Sequence, residues 1–99
     1  MNIHKYVRLR IKLSSKGYDL RAPDIGSFAY GRLIGIDNRK VVGGDWAITV
    51  YPPGHCCTNG LYFNTLRQVQ RWADNGFKDE FLPKIPLEDG TFVIQKKVA

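Results

Sequence analysis

The sequence predicts an α+β fold: a small twisted antiparallel sheet of about five to seven strands, packed by one amphipathic helix. Three observations carry that prediction. Residues 6–13 alternate apolar with charged side chains, residues 65–75 open on a capping signature and continue with apolar residues at helical spacing, and turn residues punctuate the short apolar runs between them.

In residues 6–13, Val7, Leu9, Ile11 and Leu13 alternate with Arg8, Arg10 and Lys12, which reads as a strand with one core face and one basic face. Ser14-Ser15-Lys16-Gly17 follows as a loop whose glycine accepts a positive φ, and Tyr18-Asp19-Leu20-Arg21 resumes the alternation, so a first hairpin is expected before Pro23. Residues 28–36 read as a strand carrying Gly31 and Gly35, and Asp37-Asn38-Arg39-Lys40 turns the chain into Val41-Val42 as a second hairpin. Gly43-Gly44 reads as a bulge or a break, after which Trp46, Ile48 and Val50 alternate. Residues 52–60, beginning Pro52-Pro53-Gly54, are the most loop-like stretch.

The helix is expected at residues 65–75. Thr65-Leu66-Arg67-Gln68 fits the capping box, in which the threonine hydroxyl accepts an amide proton three residues on and the glutamine reaches back. Leu66, Val69, Trp72 and Ala73 form the apolar stripe, Arg67, Gln70, Arg71 and Asp74 lie off it, and Asn75-Gly76 ends it. Residues 78–82 add a single turn before Pro83. Glu88-Asp89-Gly90 then joins residues 85–87 and 91–95 as a tight hairpin, with Pro86 pushing its strand to an edge. The expected order is β-β-β-β-β-α-β-β.

A chain of 99 residues with a hydrophobic share of 43% suits one domain, residues 1–99. Aromatic residues from Tyr6 to Phe92 argue against a disordered tail. Residues 1–5 show no secretory apolar core, and no run approaches the roughly 20 apolar residues of a membrane helix, so a cytoplasmic protein with no membrane partner is expected. Cys56 and Cys57 are adjacent, which is poor geometry for a mutual disulfide and fits reduced thiols. The net charge of +6 favours acidic protein surfaces or polyanions as partners.

No motif fixes a reaction. His55-Cys56-Cys57 has only His4 as a further His or Cys, short of the two separated ligand pairs that zinc sites use, and it has no third group to orient a nucleophile. The carboxylates Asp19, Asp24, Asp37, Asp45, Asp74, Asp79, Glu80, Glu88 and Asp89 fall mostly in turns and helix ends. Gly43-Gly44-Asp45 lacks phosphate-loop spacing. No catalytic, metal or cofactor residue is therefore expected. The candidate contact residues are Tyr6, Arg8, Arg10 and Lys12, standing as a row on the first strand, with Arg67, Gln70 and Arg71 on the exposed helix side. A solvated strand face and a solvated helix face explain the same residues.

The first strand, the loop and Phe63-Asn64-Thr65-Leu66-Arg67-Gln68-Val69-Gln70-Arg71-Trp72-Ala73 together resemble small accessory proteins of phages and mobile elements, anti-CRISPR proteins among them. The resemblance covers about a third of the chain. It implies a non-enzymatic inhibitor that blocks a nucleic-acid-handling host complex by protein–protein contact, in the host cytoplasm if phage-encoded. A basic inhibitor cannot mimic DNA, so it would dock on an acidic protein surface or compete beside the nucleic acid. The alternative is a module that binds nucleic acid directly through the basic strand face and the helix arginines.

Overall fold

The computed structural model describes residues 3–22, 35–36, 38–43, 46–55 and 58–98. Within them the chain is α+β, with two helices and small antiparallel sheets. The expected strand at residues 28–36 lies outside the described residues except for its last two, and Cys56 and Cys57 lie outside them altogether.

Helix α1 (Ile3–Ser14) replaces the first expected strand. The segment carries both periods at once: Val7, Leu9, Ile11 and Leu13 satisfy a period of two, while Tyr6, Leu9 and Leu13 satisfy one helix face. Packing chooses the second. Tyr6, Leu9 and Leu13 are buried, whereas Val7 and Ile11 are 46% and 65% exposed. The row of cations at strand spacing therefore does not exist, and Tyr6 belongs to the core.

Gly17 accepts a positive φ, as expected, but it stops a helix instead of turning a hairpin. It sits at φ +88, the Gly17 N–H donates to the Ser14 carbonyl, and the Tyr18 N–H donates to the Leu13 carbonyl. That is a Schellman stop, which consumes helix carbonyls that would otherwise lack partners. Helix α2 (Leu66–Asp74) ends the same way at Gly76, with the Phe77 N–H donating to the Trp72 carbonyl. The residues just past the two stops, Tyr18 and Phe77, stack at 4.7 Å, and both meet Trp72 edge-on. The two helix ends are thereby locked together over one aromatic cluster.

The N-terminus of α2 forms as its sequence predicts. Thr65 accepts the Gln68 amide proton, and Gln68 accepts from the Thr65 N–H. Leu66, Val69, Trp72 and Ala73 are all buried.

Strand β1 (Asp19–Arg21) is followed by β2 (Gly35–Ile36), β3 (Arg39–Lys40), β4 (Ile48–Tyr51) and β5 (Leu61–Phe63). One sheet of five to seven strands is not seen. The described strands form a three-stranded sheet ordered β1-β4-β5 and two hairpins, β2-β3 and β6 (Ile85–Pro86) with β7 (Phe92–Val93). The loss of the first strand to α1 leaves β1 without its expected hairpin partner, so β1 pairs with β4 instead. Gly43 at φ +93 turns the chain out of the β3 line before Trp46.

In the three-stranded sheet, Leu20, Val50 and Leu61 stand opposite one another and Ile48 stands opposite Phe63, forming the surface on which both helices pack. Thr49 and Tyr51 on the reverse face are also buried. Gly60 lies so close to them that an added Cβ would stand 2.7 Å from Thr49 Cγ2. Strand β5 has only three residues between Gly60 and Asn64, too few to show a period, and the sequence reading passed over it.

Residues 79–81 form the short 3-10 turn expected before Pro83. The terminal hairpin forms around Gly90 at φ +85. Pro86 lies in an outer strand of a two-stranded sheet, as expected, and on the side away from β7 an isolated Val41–Leu87 bridge joins the two hairpins. Gln95 is buried and closes the free edge of β5: its side-chain oxygen accepts from the Tyr62 N–H at 2.7 Å, and its amide donates to the Tyr62 carbonyl at 2.8 Å and the Pro83 carbonyl at 3.0 Å. A primary amide here does what another strand would do. No helix among the described residues is long and apolar enough to cross a membrane.

Candidate binding surface on the first helix

Helix α1 has three faces. Tyr6, Leu9 and Leu13 face the core, and the Tyr6 hydroxyl donates to the Leu20 carbonyl at 3.2 Å, so this candidate contact residue is withdrawn from the surface. Lys5, Arg8 and Lys12 face α2, where together with Leu9, Gln70 and Asp74 they line a shallow open groove. Ile3, Val7 and Ile11 face outward at 53%, 46% and 65% exposure. They stand at i, i+4 and i+8, a stripe about 12 Å long.

The electrostatics of α1 are one-sided. It carries Lys5, Arg8, Arg10 and Lys12 and no carboxylate. Cations in a first turn oppose the helix dipole, so Lys5 is unfavourably placed with respect to it, whereas Lys12 in the last turn is favourably placed. Lys12 Nζ meets Asp74 Oδ1 at 2.6 Å across the two helices. Both side chains are about half exposed, so this pair contributes on the order of 0–1 kcal/mol and chiefly holds one carboxylate against the groove.

The structure thus brings Arg8, Lys12 and Gln70, predicted on separate elements, into one groove. Arg10 is not among the groove-lining residues: two residues from Arg8 on a helix is about 200° of rotation, which turns it away and sets it on the far flank of the Ile3-Val7-Ile11 stripe. Arg67 is exposed beside Gln70. Arg71 points elsewhere, its guanidinium 5.5 Å from the Phe81 ring centroid in a cation–π contact next to Glu80 and Lys84.

The sequence reading missed Ile3, Val7 and Ile11 as surface residues. Their i, i+4, i+8 spacing was visible, but a period of two had already assigned Val7 and Ile11 to a core.

His55 in the loop is partly buried, and its Nδ1 lies 2.9 Å from the Asn59 side-chain nitrogen. Among the described residues no group of three His, Cys, Asp or Glu side chains converges as a metal site would require. The acidic turn holds one perturbed group: hydrogen bonds from the Thr91 hydroxyl and N–H, helped by Arg39, keep the Asp89 carboxyl below its ordinary value of 3.8.

No protein-family model, curated protein or solved structure matches this chain.

Proposed function

We propose that the protein works by binding, without chemistry of its own, and that α1 is the contact element, docking on an acidic and partly apolar surface of a partner protein. The observation that carries this is the interleaving on α1: the exposed apolar stripe of Ile3, Val7 and Ile11 runs between Arg8 on one side and Arg10 on the other. Apolar side chains contribute binding energy by leaving water, and flanking cations select a carboxylate-rimmed site. A surface built for nucleic-acid phosphates needs the cations and has no use for three exposed branched aliphatics. The resemblance to small inhibitors of phages and mobile elements suggests that the partner is a host protein or nucleoprotein complex that handles nucleic acid, met in the host cytoplasm.

The test is pull-down from host lysate, with and without nuclease, using wild type, Val7→Ser with Ile11→Ser, and Arg8→Glu with Arg10→Glu. The expected result is a partner kept after nuclease and lost by both double variants, each melting near wild type. A partner that vanishes with nuclease and ignores Val7→Ser with Ile11→Ser would instead establish the direct nucleic-acid module. The confirming signature of that module is a steep fall in affinity with salt, with a slope near −0.9 per phosphate neutralised on duplex DNA.

A further inference from the structure

The edge of β7 is built differently from the edge of β5. On β5 the outward N–H and carbonyl of Tyr62 are closed by Gln95. Among the described residues, no strand but β6 pairs with β7. The direction of its free groups follows from the register. Pro86 stands opposite Phe92, and the Pro86 carbonyl accepts from the Val42 N–H on the side away from β7. Pro86 and Phe92 are thus a pair without mutual hydrogen bonds, while the neighbouring Leu87 N–H does donate to the Thr91 carbonyl. Antiparallel pairs alternate, so the N–H and carbonyl of Phe92, and of Ile94 two residues on, point away from β6.

The side chains fit an occupied edge. Phe92 and Ile94 are 61% and 67% exposed. The segment Thr91-Phe92-Val93-Ile94-Gln95 is uncharged, free of glycine and proline, and rich in strand-favouring residues, without the lysine or proline that solvated edges use against pairing. Beside it Val42, 43% exposed, continues the apolar row through Pro86 to Phe92.

We propose that β7 pairs antiparallel with β7 of a second copy of this chain, about a two-fold axis through Val93. In that register Phe92 stands opposite Ile94 of the second copy and Ile94 opposite its Phe92, and each such pair exchanges two backbone hydrogen bonds from groups already pointing outward. The four aliphatic and aromatic side chains fall on one face and extend the Val42, Pro86, Phe92 row across the axis. The same register sets Gly90 opposite Lys96 of the second copy, so the acidic Glu88-Asp89 turn of each copy lies beside the exposed Lys96 of the other. A two-fold contact is self-complementary, and this edge meets that condition in both charge and backbone register. Helix α1 does not, since two copies of it would bring Arg8 and Arg10 against Arg8 and Arg10. The partner surface and the self-surface are therefore separate.

The test is sedimentation equilibrium of the wild type over a range of concentrations, together with amide exchange. A contact this small is expected to dissociate in roughly the micromolar range. The Phe92 and Ile94 amides are expected to gain protection as concentration rises, while α1 amides do not change. Ile94→Pro removes an outward donor and leaves the β6 pairing intact, and Phe92→Lys with Ile94→Lys sets like charges across the axis; each is expected to weaken the dimer at least about tenfold without lowering the melting temperature appreciably. Lys96→Glu weakens it by a smaller factor. A wild type that stays monomeric up to roughly 1 mM overturns the proposal, as does a dimer that leaves Phe92 and Ile94 unprotected or persists in the Ile94→Pro variant. Loss of the dimer on Val7→Ser with Ile11→Ser would place the contact on α1 and overturn it as well.

Discussion

Replacing Gln95 by leucine tests how the open side of the three-stranded sheet is held. The side chain is buried and makes three hydrogen bonds to backbone groups, the Tyr62 N–H, the Tyr62 carbonyl and the Pro83 carbonyl. Leucine fills nearly the same volume and satisfies none of them. A buried backbone group left without a partner costs about 1–3 kcal/mol. The site is only partly shut off from water, so the lower end applies to each of the three, about 3 kcal/mol in total. The extra apolar burial of leucine returns about 1 kcal/mol. The net loss is about 2 kcal/mol, which lowers the melting temperature of a domain this size by about 10 °C. Thermal unfolding followed by circular dichroism measures it, and amide exchange at Tyr62 shows whether the loss lies where expected. Gln95→Glu supplies the control. Its carboxylate accepts from the Tyr62 N–H but repels the two carbonyls, so the folded state binds a proton more tightly than the unfolded chain, raising the folded pKa above the usual value of about 4.3. The native state then holds the extra proton between those two values, so the stability of this variant rises relative to wild type as pH falls through that window. A Gln95→Leu variant that melts within about 2 °C of wild type would refute this role for Gln95, because its three hydrogen bonds would then contribute almost nothing to stability.

Two further outcomes follow from other parts of the fold. Val69 is fully buried on α2 against the sheet, so Val69→Asp, which forces an unpaired charge into the core, is expected to cost more than about 4 kcal/mol and leave the chain unfolded at room temperature by circular dichroism. The Asp89 carboxyl is held below its ordinary value of 3.8 by Thr91 and Arg39, so its contribution is complete above that value and disappears as acid protonates the group. Because the carboxylate is exposed the effect is small, and it is best read by comparing the acid unfolding of Asp89→Asn with wild type: the two curves are expected to converge below the folded pKa, and curves separated by a constant amount at every pH would contradict the assignment.

The sequence by itself determined the elements whose signals are local. The capping box at Thr65 and Gln68, the stripe of Leu66, Val69, Trp72 and Ala73, and the Glu88-Asp89-Gly90 turn each formed where their residues said, because caps, stripes and tight turns depend on neighbours within about four positions. It also determined that Gly17 would take a positive φ, though not what for. Tertiary structure alone decided the rest. Residues 6–13 satisfy a strand and a helix equally well, and only the docking of Tyr6, Leu9 and Leu13 onto Leu20, Val50 and the α2 face selects the helix. That one choice moved Tyr6 into the core, exposed Val7 and Ile11, brought Arg8 and Lys12 into a groove with Gln70, and sent Arg10 to the other side. It likewise took long-range contact to make a strand of Leu61–Phe63 and to set Gln95, 33 positions from Tyr62 in sequence, against its backbone. Burial and edge pairing are properties of surfaces that meet only after the chain has closed, and no window along the sequence contains both of them.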